Sequence, residues 1–431
     1  MFDLPSLFSP WLNARRWYVA LSGGLDSSVL LHLLHTLSHS HPTPPLYAVH
    51  VHHGLQSIAD TWPQHCRAFC ASLGVELRVV EVQVPAGASV EQAARNARYA
   101  AFAALLEEGD VLFTGQHQDD QAETLLLRLL RGAGLRGLTA MPVQRSLGQG
   151  QVVRPLLSMS RRQLLVYAQG HGLQWVEDPS NQDPQFARNY LRGAVMPLLQ
   201  QRWPQSSLSL ARSAVHLREA LGLLDEVAGD DLHAARGEAA FPWLKLDSLD
   251  VQALGRLSPA RQRNALQHWL STRTRLPDTR HWAGWDALRD AGADAQPVWR
   301  LTDGLLQRSQ GRVWWLSGEW LQQPAGAQAW EAPTQPLPLL GNGQLRVVGR
   351  CPPGPLRVSY RQGGEVLDLP GRGHRDLKRL LNESHLPHFV RQRLPLLWQG
   401  DRLLAVANLP ALGTSDLQLL WQPPTCAQGL S

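Results

Sequence analysis

The sequence predicts an α/β protein: a doubly wound parallel sheet, then an α-helical middle domain, then a small α+β C-terminal domain. Three observations carry this. Between residues 17 and 132, short apolar runs alternate with longer amphipathic stretches, the pattern of strands joined by crossover helices. From about residue 208 the pattern becomes mostly helical. A stretch rich in Pro, Gly and Gln at 322–343 then precedes a last set of strand-like segments.

The elements follow in order. "WYVAL" (17–21), "LYAVHV" (46–51), "VELRVVEV" (75–82) and "VLFTG" (111–115) have the apolar runs of buried strands. Residues 27–37, 61–73, 89–108 and 120–132 have helical periodicity. Residues 208–235 predict one long helix, and 257–272 and 280–291 two more. "QLRVVGR", "PLRVSYR" and "RLLAVANLP" predict strands around a central helix near the C-terminus. The expected division is a catalytic domain at 1–210, a helical domain at 211–325, a linker at 326–343 and an α+β domain at 344–431. "SGGLDSS", "HVHHGL" and "GQHQDD" all fall at carboxyl ends of strands, where open α/β sheets bind ligands, so one cleft is expected to hold all three.

Composition narrows the class. No apolar run approaches the ~18 residues of a membrane span, and the N-terminal stretch lacks a basic region ahead of an apolar core. No membrane partner is expected. Cys66, Cys70, Cys351 and Cys426 form no C-x-x-C pair, which disfavours a cysteine-only metal site and fits idle thiols in a reducing cytoplasm. Net charge is +5, and Lys245 and Lys378 are the only lysines. Arginine offers a planar fork to phosphate and stacks on bases, so a nucleic-acid partner fits. An arginine-favouring codon usage is the competing explanation.

The loop Ser22-Gly23-Gly24-Leu25-Asp26-Ser27-Ser28 is built as a phosphate cradle, with glycines for close backbone approach and a helix N-terminus behind. It has no Walker lysine. Asp26 stands inside the loop, where a carboxylate makes sense if it helps hold Mg²⁺. The chemistry expected is cleavage of ATP to AMP and diphosphate. In "TGQHQDDQAETLLLRLLRGAG" (114–134), His117, Asp119, Asp120 and Glu123 cluster at a strand-to-helix turn. Asp120 and Glu123 share a helix face and could bind Mg²⁺ with Asp26, or a substrate ammonium. D-x-x-E is equally the pattern of a helix capping box. Arg95 and Arg98 share a face of the next upstream helix, suited to phosphate or nucleotide, or simply solvated. "EDPSNQDPQFARNYLR" (177–192) is a polar loop entering a helix that bears Arg188, Asn189 and Arg192.

"SGGLDSS" resembles the S-G-G-x-D-S signature of the PP-loop, or N-type, ATP pyrophosphatases. In order along the chain, "SGGLDSS", "HHGL", "ARNARY", "HQDDQAETLLLRLLRG", "RPLL" (154–157) and "DPSNQDPQFARN" resemble the tRNA(Ile)-lysidine synthetase family. The likeness runs over about 17–200 and resumes in "RQGGE", "LKRLLNE" and "RQRLPLLWQGDRLLAVANL". It implies a PP-loop, Rossmann-like fold and a ligase that adenylates C2 of the wobble cytidine of CAU-anticodon tRNA(Ile) with ATP. The ε-amine of free L-lysine then displaces AMP. It assigns Ser22, Gly23, Gly24, Leu25, Asp26, Ser27 and Ser28 to ATP, Asp26 and Asp120 to Mg²⁺, and Asp26, Arg98, His117, Asp120, Glu123 and Arg188 to catalysis. Family members usually carry two histidines where this chain has Gln116-His117, and Gln116 cannot carry a proton. A homodimer is left open. Rival readings are a thiolating PP-loop tRNA enzyme, a small-molecule synthetase and a non-catalytic tRNA binder. The arginine-rich 357–393 segment, including Arg372, Arg391 and Arg393, suggests a tRNA clamp.

Overall fold

The structure, a computed structural model, describes residues 3–54, 60–84, 90–237, 241–292, 295–369, 373–412 and 417–426. Leu55 of the "HHGL" motif and Arg372 of the suggested clamp lie outside the described residues. The chain divides into two compact units, Met1–Leu223 and Leu224–Leu430.

In the first unit α1 (Leu4–Phe8) precedes β1 (Arg16–Ala20), α2 (Leu25–Ser40), β2 (Leu46–His52), α3 (Trp62–Ser72), β3 (Glu76–Glu81), α4 (Val90–Leu105) and β4 (Asp110–Phe113). Then come α5 (Gln118–Leu130), α6 (Leu135–Leu138), β5 (Gln144–Leu147), β6 (Gly150–Val153), α7 (Arg161–Gly170), α8 (Ala187–Tyr190) and α9 (Met196–Arg202). The long helix α10 (Ser206–Arg236) begins here. Strand order is β3-β2-β1-β4-β6-β5. All neighbours pair in parallel except β5, which runs antiparallel on β6. The doubly wound sheet is therefore as expected, with one antiparallel edge strand in addition. That hairpin escapes the sequence pattern because "QRSLGQGQVV" is largely polar, and its turn rests on Gly148 at φ +57.

β1 runs through the middle of this sheet and is buried on both faces. Trp17 and Val19 face a core built with α2, α3 and α7; Tyr18 faces a second core with Phe102 of α4. Phe8, Trp17 and Phe113 meet edge-on or tilted, with ring centroids 5.4–6.2 Å apart. Truncating one such fully buried aromatic costs about 3–5 kcal/mol. This rigid centre fixes the loops at the carboxyl ends of β1 and β4.

In the second unit β7 (Ser248–Asp250) leads into α11 (Val251–Gly255), α12 (Pro259–Leu270) and α13 (Ala283–Asp290), then β8 (Val298–Arg300), β9 (Leu305–Ser309) and β10 (Arg312–Leu316). The helices expected here form, and they pack with an antiparallel sheet of order β7-β10-β9-β8 that periodicity does not announce. Its strands are too short, at three to five residues, to show an alternation. Trp269, Trp282, Trp285, Trp299 and Trp315 fill its core.

The chain continues through β11 (Gln328–Trp330), β12 (Leu337–Pro338), β13 (Gln344–Gly349), β14 (Leu356–Ser359), β15 (Val366–Leu369) and β16 (Gly373–Asp376). It then forms α14 (Leu377–Glu383), α15 (His388–Arg391), β17 (Leu396–Gln399), β18 (Arg402–Val406) and β19 (Leu417–Gln422). Two expectations are corrected. The 326–343 stretch is not a linker: β11 pairs with β14, β12 with β13, and Trp330 and Leu339 sit in the same core as Trp314 and Trp421. Nor are Arg391 and Arg393 clamp residues, being only 8% and 5% exposed. Arg393 donates to the carbonyls of Glu319, Trp320, Gln322 and Gly341 and to Asn342, knitting the proline-rich stretch to the domain.

Candidate active site

β1 hands the chain to the loop at Leu21. Gly23 adopts φ +85, which glycine tolerates at no steric cost, and its carbonyl accepts the Val176 N–H at 2.9 Å. Ser27 locks the loop: its Oγ accepts the Ser22 N–H at 3.2 Å, donates to the Gly24 carbonyl at 3.0 Å and meets Ser22 Oγ at 3.0 Å. α2 starts at Leu25 with Gly24 as N-cap and no side-chain cap. Its first amides and positive dipole end are thus free to meet an anion. Asp26 lies in the first turn, and its buried Oδ1 has no hydrogen-bond partner.

The second wall comes from the β4–α5 turn. His117 caps α5 in a reciprocal box with Asp120: Nδ1 accepts the Asp120 N–H at 3.4 Å, and Asp120 Oδ2 accepts the His117 N–H at 3.1 Å. The capping box is therefore His117–Asp120, and Glu123 stands outside it. His117 Nε2 lies 3.6 Å from Asp26 and 3.5 Å from Asp120. Burial alone would push this imidazole down, but Asp26, Asp120 and Asp119 outweigh it and hold the group above its usual value.

The chain after α8 passes through a π-helical turn, Leu191–Val195, before α9. Such turns often mark functional sites. Arg188 donates to Glu123 at 2.9 Å and to Asp120 at 3.1 Å; Arg192 donates to Glu123 at 2.7 and 2.9 Å and to Asp120 at 2.9 Å. Burial pushes the Asp120 carboxyl up, but His117, Arg188 and Arg192 together hold it below the usual range. Burial likewise pushes Arg192 down, and Glu123 and Asp120 more than restore it. Arg192 joins the cluster although the family resemblance assigned a role to Arg188 and not to Arg192. Its place one helical turn further along the same segment was the available signal.

One cleft of about 570 Å³ gathers these parts. Ser22, Gly24, Leu25, Asp26 and Ser27 line it, as do Arg98, Asp120, Arg188 and Arg192. Leu25 also anchors the loop by packing into the core at 5% exposure. Gly23, Ser28, His117 and Glu123 are not on its wall. Ser28 is fully buried with an unpartnered hydroxyl, and His117 and Glu123 stand behind the groups they position. Gln116 lines the cleft and accepts the Thr114 hydroxyl at 2.5 Å. Cys66 and Cys70 are buried in α3, and burial pushes their thiols up to about 12 and about 11. Neither is a thiolate at neutral pH.

A mostly parallel sheet that feeds S-G-G-x-D-S into an uncapped helix defines a PP-loop ATP-binding protein, and the PP-loop domain family model matches residues 3–199. Models described as the TilS substrate binding domain and the TilS substrate C-terminal domain match 249–314 and 356–417. The chain is 68% identical over 423 residues to a tRNA(Ile)-lysidine synthase of Pseudomonas putida, covering 98% of this chain and 99% of the relative. It is 59% identical over 429 residues to that of Pseudomonas aeruginosa, covering 98% and 97%. Among solved structures it is similar to the U34-tRNA thiolase NcsA from Methanococcus maripaludis at 19% identity and a TM-score of 0.41, covering 50% of this chain and 79% of that one. The chain belongs to the tRNA(Ile)-lysidine synthase family.

Proposed function

We propose that the chain joins free L-lysine to C2 of the wobble cytidine in CAU-anticodon tRNA(Ile), consuming ATP and releasing AMP and diphosphate. The observation that carries this is similarity along nearly the whole chain, substrate domains included, to relatives of that name. In the first half-reaction the cytosine C2 oxygen attacks the α-phosphorus of ATP and diphosphate leaves. In the second, the ε-amine of lysine gives up a proton and attacks C2; the C2–O bond breaks and AMP leaves with that oxygen. The amides at the start of α2 receive ATP phosphates, and Arg98, Arg188 and Arg192 face the reacting groups from the cleft wall.

Mg²⁺, when bound, would neutralise charge on the phosphates. Asp26 fits it, because its buried Oδ1 lacks a partner. Asp120 does not fit it as expected: Oδ1 already accepts from two arginines and Oδ2 from the His117 amide. Lysine's ammonium would reach Asp120 and Glu123 by exchanging with a guanidinium. In Glu123→Gln the lysine KM is then expected to rise about tenfold while adenylation changes less, so adenylated tRNA accumulates. An unchanged lysine KM with a lowered Tm would leave Glu123 a purely structural role.

In the C-terminal domain the exposed Arg357, Arg375, Lys378 and Arg379 remain as tRNA-contacting groups. Among the described residues no helix is long and apolar enough to cross a membrane; a cytoplasmic setting, where tRNA, ATP and lysine meet, accompanies the proposal. The test is AMP release from ATP with and without this tRNA and lysine, with mass analysis of the nucleoside product. AMP release that needs no tRNA, or a sulfur-bearing product, would overturn the reading. The buried, protonated thiols of Cys66 and Cys70 speak against the latter.

A further inference from the structure

Four arginines gather around one phenol of the cleft wall, and a fifth stands next to Arg95. Arg95 of α4 lies over the Tyr99 ring at 4.8 Å and Arg145 of β5 at 5.0 Å. Arg154, just past β6, acts electrostatically on the phenol; it is 3% exposed, donates to the Pro142 carbonyl at 2.9 Å and keeps a buried Nε without a partner. Arg98 is half-buried one turn from Arg95, and Arg128 of α5 is spent on the carbonyls of Gly137 and Ala140. Among the described residues no carboxylate pairs with any of the five, whereas Arg188 and Arg192 hold two between them. Burial and their neighbours' charge push Arg98, Arg128 and Arg154 below the ordinary arginine value. Burial pushes the Tyr99 phenol up, yet the arginines outweigh it and hold it low.

So much like charge is costly unless an anion relieves it. Arg95, Arg98 and Tyr99 line the same cleft as the ATP loop. They stand on α4, which covers the opposite sheet face from α2. ATP phosphates are already provided for at the α2 N-terminus. A second cationic rim along one cleft suits a ligand carrying phosphates on both sides of its reacting base, and that ligand is a single-stranded RNA loop.

We infer that Arg95, Tyr99 and Arg145 form a phosphate-binding rim that holds the backbone of the RNA substrate beside the target nucleotide. The inference rests on the tRNA-modifying reading above and names where the catalytic domain grips the RNA. ATP carries phosphates too, so the test separates the two sources. In the full-length Arg95→Gln/Arg145→Gln variant, affinity for the CAU-anticodon tRNA(Ile) transcript is expected to fall about tenfold, and the slope of log K against log salt to become shallower by roughly 1–2. Affinity for ATP alone should stay within about twofold, since the loop is untouched. Arg95→Lys/Arg145→Lys keeps the charge and should keep the salt slope, an outcome a packing role does not produce. Should Gln at both positions unfold the chain, Arg95→Gln alone, at an exposed position, supplies the same comparison. Unchanged RNA affinity and slope, or a loss confined to ATP, overturns the rim. If the wild-type chain forms no lysidine yet the salt slope still shifts, the reaction assignment fails and the rim stands.

Discussion

Asp26→Ala is expected to lower AMP formation by about a hundredfold to a thousandfold, the usual cost of removing a group that meets charge developing in the transition state. Affinity for tRNA should stay within about twofold, because phosphate contacts made elsewhere dominate RNA binding. The structural ground is specific. Asp26 sits in the first turn of α2, where loop, helix N-terminus and cleft coincide, with one buried carboxylate oxygen unpartnered. Its other oxygen faces His117 at 3.6 Å. Asp26→Asn keeps the shape and an acceptor oxygen but loses the charge, so it should fall with Ala if the carboxylate's role is electrostatic. Steady-state AMP release and a tRNA titration decide the matter. Near-normal AMP release from Asp26→Ala would remove Asp26 from the ATP machinery.

Gly115→Ala should be nearly as damaging, although Gly115 carries no functional group. A Cβ there would stand 2.9 Å from the Asp26 carbonyl carbon, 3.0 Å from its oxygen and 3.1 Å from the Ser27 nitrogen. These are backbone atoms at the start of a helix, and they cannot rotate away. The β4–α5 turn and the ATP loop must separate instead, which moves Asp26 away from His117 and Asp120. A displacement of this size is expected to raise the ATP KM at least about tenfold and, as overpacking in a tight contact costs roughly 1–3 kcal/mol, to lower the Tm by several degrees. Gly229→Ala is the control: a Cβ at this position within α10 meets nothing within 4 Å, so that variant should be neutral or slightly stabilising. A wild-type ATP KM in Gly115→Ala would show that the contact between the two turns is not needed for nucleotide binding.

Much of the molecule follows from local patterns. The alternation of apolar runs and amphipathic stretches specifies the parallel sheet because buried strands and crossover helices each carry their own period. The loop Ser22–Ser28 is legible because glycine, hydroxyl and carboxylate at fixed spacing have few uses other than phosphate. Asp120 and Glu123 are legible as a pair because helix geometry places residues three apart on one face.

What only the tertiary structure decided involves contacts between distant segments. Glu123 and Arg188 are 65 positions apart, and no periodicity links them. Only the fold shows that Arg188 and Arg192 together occupy both carboxylates, and that Glu123 and His117 do not line the cleft. The excess of arginine divides in the same way. Composition counts Arg393 and Arg95 alike, yet one is buried on backbone carbonyls that stand in for water, while the other lies exposed over an aromatic ring beside the cleft. Proline and glycine at 326–343 resemble a linker locally, but Trp330 and Leu339 find a shared core once β14 and β13 are in place. The sequence by itself determined the fold class, the ATP loop and the family. Which charges are spent on structure and which face a ligand was decided by packing, because burial and pairing depend on segments far apart in the chain.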